Sequence, residues 1–282
     1  MLYSNFFQTI DFTQCRVDTI PDFSRFTQLK EIGLRQNLLT SINPRITVVG
    51  LIRLDLYDNQ IEVISNLDEL VNLEYLDMSY NRIKKIEGLS GLVISNLDEL
   101  VNLEYLDMSY NRIKKIEGLS GLVNLRRLYL VHNKIDEIAG LESLTKLELL
   151  ELGDNRIKAS IQFCFSIRFH LAIQGQSCCS FPFQLENIGH LIDLRELYIG
   201  KNKIRKLENL ENLKKLTVLS VPKKLTIIDA GNNKITNLDG LNHLEELTDL
   251  WVHLQLFLHI FQKLPLTFKS SISTIWVGIL CF

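Results

Sequence analysis

Carboxylates and aromatic rings recur in one frame along this chain. Asp55, Asp77, Asp107, Tyr129, Glu151, Tyr198, Asp229 and Trp251 occupy it, with Gly33 and Ser220 in the same frame. Of these ten positions five are acidic, three are aromatic and none is basic. Paired carboxylates can do acid–base chemistry, but these recur with the period of the chain instead of converging, which points to a recognition face. Large rings beside negative charge suit a basic-patched protein partner, because aromatic side chains anchor interfaces, and such a stripe repels phosphate backbones. Basic residues such as Arg53, Arg126, Arg127 and Arg195 lie in the neighbouring positions. The six histidines, His132, His170, His190, His243, His253 and His259, show neither metal-ligand spacing nor a nucleophile motif. His132 directly precedes Asn133 and reads as a solvent-facing loop residue. The glycines are singletons, so no phosphate-cradling loop is present. No enzyme activity, metal or cofactor is expected.

The frame itself is set by asparagine and aliphatic residues. Leu51, Leu54, Leu56, Asn59, Ile61 and Ile64 spell LxxLxLxxNxIxxI, and the same pattern stands 22 residues earlier around Asn37 and 22 later around Asn81. Spacing and order together are those of a leucine-rich repeat solenoid. The predicted class is therefore α/β: a curved parallel sheet on the concave face and short irregular or 3₁₀ returns on the convex one. Each LxxLxL forms a short strand whose alternate apolar side chains face the core, and the residue between the last two leucines points outward. The Asn carboxamide both donates and accepts, so it can satisfy buried backbone groups where the chain leaves the strand. One coil cannot bury its own apolar face, so coils must stack. The Asn positions run Cys15, Asn37, Asn59, Asn81, Asn111, Asn133, Asn155, Asn202 and Asn233, with Cys15 marking a weak first coil.

Three steps break the period. Asn81 to Asn111 spans 30 residues, because residues 63–93 and 93–123 are identical, as in a very recent duplication or an error of assembly. Asn155 to Asn202 spans 47, which reads as one coil plus a 25-residue insertion at 160–184 carrying Cys164, Cys178 and Cys179 and no acidic residue. Asn202 to Asn233 spans 31, with a truncated coil near Pro222–Lys224. The solenoid is thus assigned to 1–251. The apolar remainder, 252–282, lies outside the repeat; a membrane anchor there is disfavoured by Gln262, Lys263, Pro265 and Lys269 and by a final apolar run far short of the roughly 20 residues a spanning helix needs.

Composition narrows the class further. With 282 residues, 46% of them hydrophobic, the chain can bury a long core in one solenoid, and a net charge of −2 leaves no footprint for nucleic acid. Five cysteines without even spacing describe no disulfide framework. Residues 1–10 lack the basic start and apolar run of a secretory signal, so the expected location is nucleus and cytoplasm.

The residues in the variable positions carry a closer resemblance. LRQNLL at 34–39, LDLYDNQI at 54–61, LELGDNRI at 150–157, IGKNKI at 199–204 and LTVLSV at 216–221 resemble the leucine-rich regulatory subunit of protein phosphatase 1, the regulatory subunit 7 family. The resemblance covers about residues 10–159 and 185–252. It implies a non-catalytic subunit that holds the phosphatase catalytic subunit on its concave face, clamps it, and alters its activity, maturation or location. The binding positions it implies are Asp77 or its copy Asp107, Tyr129, Glu151, Tyr198, Asp229 and Trp251, with Asp249 beside the last. Tyr129 and Tyr198 stand where familiar members carry phenylalanine. Arg16-Val17-Asp18 approaches the short docking motif of phosphatase regulators without its aromatic residue. The alternative on these residues is an intracellular leucine-rich adaptor of another complex, spliceosomal or ciliary.

Overall fold

In the computed structural model the described residues are 7–43, 46, 48–87, 89, 100–158, 188, 190–191, 193–204, 226–233, 235 and 249–252, with strand backbone at 160–162, 184–186, 207–208, 253 and 274–278. Ser220, the truncated coil at 222–224 and most of 160–184 and 252–282 lie outside them. The strands are β1 Thr9–Asp11, β2 Glu31–Gly33, β3 Arg53–Asp55, β4 Tyr75–Asp77, β5 Tyr105–Asp107, β6 Arg127–Tyr129, β7 Leu149–Glu151, β8 Ser160–Gln162, β9 Gln184–Glu186, β10 Glu196–Tyr198, β11 Leu207–Glu208, β12 Ile227–Ala230, β13 Asp249–His253 and β14 Thr274–Gly278. Eleven form one sheet in the order β1-β2-β3-β4-β5-β6-β7-β10-β12-β13-β14, and the pairs are parallel. The returns between them are turns and bends, with no helix among the described residues.

Alternation decides which side chains enter the core. In β3 to β7 and β10 the central residue, Leu54, Leu76, Leu106, Leu128, Leu150 or Leu197, is at most 1% exposed, and its two neighbours turn away from the core. Leu and Ile from the returns complete the same apolar column, for example Leu73, Ile83 and Ile86. In the β1 coil Phe12, Phe23 and Phe26 pack with ring centroids 6.2 to 6.4 Å apart. Val17 leans on this core and gives its N–H to Asn37 Oδ1 at 2.9 Å, so the Arg16-Val17-Asp18 segment is engaged in the fold.

Each Asn fastens its coil to the one before. Asn133 Nδ2 donates to the carbonyls of Leu130 in its own coil and Met108 in the preceding one, at 3.2 and 3.0 Å, while its Oδ1 accepts the N–H of Ile113 at 3.0 Å. The three period breaks leave this ladder whole. Across the 30-residue step, Asn111 still donates to Met78 at 3.0 Å and accepts from Ile83 at 2.9 Å. Across the 47-residue step, Asn202 donates to Leu152 at 2.9 Å and accepts from Ile157 at 3.0 Å. Across the 31-residue step, Asn233 donates to Ile199 at 2.9 Å and accepts from Ile204 at 3.1 Å. The pairing of consecutive coils therefore continues across all three steps. β8, from the insertion, and β9, at the point where the repeat resumes, join β11 in a separate three-stranded sheet.

The main sheet also extends past the repeat pattern. β14, from the apolar remainder, pairs with β13 and sets Trp276 opposite Trp251. Ile275-Trp276-Val277 is a β-prone triplet, and its pairing supplies partners to backbone groups that β13 would otherwise leave at an open edge.

Removing one Asn amide should show the weight of the ladder. Asn155→Ala leaves the Ile135 N–H and the Leu130 and Leu152 carbonyls without that partner; urea denaturation should register a loss of at least about 1–3 kcal/mol. Asn102→Ala removes only an exposed bond to the Val71 carbonyl and should stay within about 0.5 kcal/mol of wild type.

Candidate protein-binding surface

Register assembles the outward residues into columns. Strand pairing sets Gly33, Asp55, Asp77, Asp107, Tyr129 and Glu151 side by side, then Tyr198, Asp229 and Trp251. Neighbouring strands stand about 4.8 Å apart, so the column is continuous. Asp249 opens β13 two residues before Trp251 and takes its place on the same face, one column over.

Within the column the carboxylates differ. Asp55 and Asp77 are each 5% exposed, more covered than a solvent-facing stripe requires. Asp55 is held by Arg35 at 3.0 Å and Arg53 at 3.7 Å, so its charge is largely spent inside the protein. Asp77 accepts from the Ser79 N–H at 2.9 Å and its hydroxyl at 2.6 Å. Asp107 accepts from the Ser109 N–H at 2.8 Å, and Asp229 from the Gly231 N–H at 2.9 Å. Each closes the turn that follows its own strand, which is a structural reason for Asp to recur here. Glu151 has no side-chain hydrogen bond or ion pair among the described residues.

Burial, and after it repulsion by neighbouring carboxylates, raises the proton affinity of Asp77, Asp107 and Glu151. Burial pushes Asp107 up to about 6, with Asp77 and Asp55 adding to the shift against the hydrogen bond from Ser109. Asp77 also moves up by burial, opposed by Ser79. Glu151 rises by burial and then by the charges of Asp107 and Asp229. A cation arriving from outside would relieve all three.

The neighbouring column contributes rings that the sequence reading left out. Tyr75 and Tyr105 stack at 4.3 Å between centroids, Tyr105 meets Tyr129 at 5.2 Å, and the Arg53 guanidinium lies 3.4 Å from the Tyr75 centroid. Their signal was present: each stands two residues before an outward Asp, and residues two apart on a strand share a face. Tyr198 donates its hydroxyl to Glu196 at 2.9 Å, and burial with that bond pushes its phenol to about 12.

Past the strands, the residue before each Asn is left-handed, including Tyr80, Tyr110, His132 and Asp154 at φ of 55°, 55°, 52° and 53°. Their N–H groups cross to the next coil, as from Tyr110 to the Val131 carbonyl at 2.7 Å. The side chains consequently stack: Tyr80 on Tyr110 at 4.1 Å, Tyr110 on His132 at 4.8 Å, and His132 Nδ1 to Asp154 Oδ2 at 2.7 Å. His132 is exposed, as expected of it, yet it is a link in this row. A depression of about 220 Å³ runs between the row and the column, lined by Tyr110, Glu151, Asp154, Tyr198, Lys201 and Asp229 among others. Among the described residues no three His, Cys, Asp or Glu side chains converge as a metal site.

Asp107→Asn keeps the oxygen that accepts from Ser109 and removes the charge. The native carboxyl, at about 6, binds its proton more tightly than the ordinary 3.8, so wild type gains stability from this group as pH falls from about 7 toward 4. The Asn variant should therefore melt higher than wild type at pH 7.5, and the difference should vanish near pH 4.

Known proteins match this chain at two levels, sequence and fold. The family described as Leucine Rich repeats (2 copies) matches residues 49–91, 101–143 and 123–163. The chain is 38% identical over 91 residues to the Protein phosphatase 1 regulatory subunit SDS22 of Saccharomyces cerevisiae, covering 30% of this chain and 27% of that protein. It is 48% identical over 60 residues to the Protein phosphatase 1 regulatory subunit SDS22 homolog of Caenorhabditis elegans, covering 21% of this chain and 18% of that protein. The chain thus spans under a third of the length of these curated relatives. An internalin of Listeria monocytogenes superposes with a TM-score of 0.66 at 20% identity, covering 94% of this chain and 65% of that one. A leucine-rich repeat protein of Leptospira interrogans gives 0.62 at 23%, covering 93% and 64%. Identities this low carry the fold alone. The chain is a leucine-rich repeat solenoid whose sequence, over part of its length, is similar to the SDS22 regulatory subunits of protein phosphatase 1.

Proposed function

We propose that this protein is a non-catalytic regulatory subunit that binds the catalytic subunit of protein phosphatase 1 across the outward face of its sheet, in nucleus and cytoplasm. The observation that carries the reading is Glu151. It sits mid-column between Tyr129 and Tyr198, repelled by Asp107 and Asp229, with no cation of its own among the described residues. A basic side chain of the partner would neutralise it, and the flanking rings would exclude water from that pair. Trp251 and Asp249 extend the contact at the far end of the column. Similarity to SDS22 proteins selects the phosphatase as the partner over a spliceosomal or ciliary complex. A long face of this kind acts by clamping: it restricts the enzyme's substrates or its position without a chemical step.

Capture of the purified catalytic subunit tests the reading. Wild type should retain it, and Glu151→Ala or Trp251→Ala should weaken binding by about 30-fold or more, as for a buried anchor. Retention that ignores both substitutions would remove the column from the interface. Affinity should also fall between pH 7.5 and 5.5, because protonation of Asp107 near 6 discards charge that a basic partner uses.

A further inference from the structure

The same coils carry a second charged face, of opposite sign. Alternation continues past each Asn: Ile113, Ile135, Ile157 and Ile204 enter the core, and the residues around them turn outward. Five of those outward positions are basic and one is acidic, and in four successive coils they form a groove of about 530 Å³ lined by Lys114, Lys134, Asp136, Arg156, Lys158 and Lys203. The net charge of −2 conceals this segregation of charge between two faces. Among the described residues none of the five bases is ion-paired, whereas elsewhere Lys84 meets Glu62 at 2.9 Å and Arg126 meets Glu148 at 2.8 Å. Five like charges on neighbouring coils repel one another, so the groove is poised for an anion.

We propose that this groove docks an extended acidic segment of a polypeptide, separately from the column on the sheet. Four coils at about 4.8 Å spacing span about 15 Å, the length of roughly five extended residues. Asp136, within the groove, selects the class of partner. A polypeptide brings backbone N–H donors to Asp136 alongside carboxylates for the bases; a DNA strand has no donor along its sugar-phosphate backbone and would be repelled there. The lining offers no ring for a base to stack on and no apolar side chain to enter a bilayer.

Fluorescence anisotropy of the full chain with a labelled octapeptide of alternating Glu and Ser tests this, beside an oligothymidylate of equal length and vesicles containing phosphatidylserine. The peptide should bind tightest of the three. Arg156→Gln with Lys158→Gln should weaken it at least tenfold, and Asp136→Ala at least threefold, while Trp251→Ala changes nothing. All three groove positions are exposed, so an unchanged melting temperature certifies folding. Tighter peptide binding by Asp136→Ala would reduce the groove to unspecific attraction and overturn the proposal. So would unaltered binding by the double variant, or preference for the oligonucleotide or the vesicles. Because the phosphatase is absent from the assay, failure here leaves the function assigned to the sheet face intact.

Discussion

The structure depends on one repeated interaction: a side-chain amide that satisfies the backbone of two coils at once. A parallel sheet built from three-residue strands has few ladder bonds per strand, and the chain must leave each strand through a turn whose polar groups are buried. Asn37, Asn59, Asn81, Asn111, Asn133, Asn155 and Asn202 lie buried at that turn, with donor and acceptor both engaged. A residue able only to donate, or only to accept, leaves half of each junction unpaired. The first coil shows the contrast. Cys15 is exposed and its thiol reaches only the Thr13 carbonyl, at 3.6 Å. In that coil the tilted rings of Phe12, Phe23 and Phe26 pack against one another.

The ladder also explains tolerance to irregular spacing. What the fold constrains is the pairing of consecutive coils, and that pairing does not register how many residues lie in a return. Steps of 30, 47 and 31 residues are absorbed because the cost of a longer loop grows slowly with its length. The binding column survives for the same reason: Glu151 and Tyr198 are 47 residues apart in the chain and adjacent across β7 and β10.

Strict stacking concentrates like with like, and this is how a structural device becomes a surface. Each side chain repeats at nearly the same height and angle from coil to coil, so one residue type becomes a stripe. Aspartates that close turns become a carboxylate row, in which burial and then neighbouring charge raise the proton affinity of Asp77 and Asp107. Left-handed residues before each Asn become a ring stack from Tyr80 to His132. Lysines and arginines beyond the Asn become a positive groove. Each stripe keeps its own predominant sign because the same position recurs from coil to coil, with Asp136 the one acidic member of the groove lining.

The sequence alone determined the coil, its period and the direction of each side chain, because alternation and the Asn frame are local properties written in every repeat. From them followed the column from Asp55 to Trp251 and the continuation of coils across the insertion. What each column residue is free to do was decided only by tertiary structure, since it depends on neighbours from other coils. Asp55 is neutralised by Arg35, a coil away, while Glu151 is left without such a neighbour among the described residues. Tyr75 and Tyr105 acquire their meaning from stacking across a strand pair, and β14 joins a sheet that the repeat pattern does not predict. Local pattern sets where a side chain points; burial, pairing and charge arise only once the coils lie against one another.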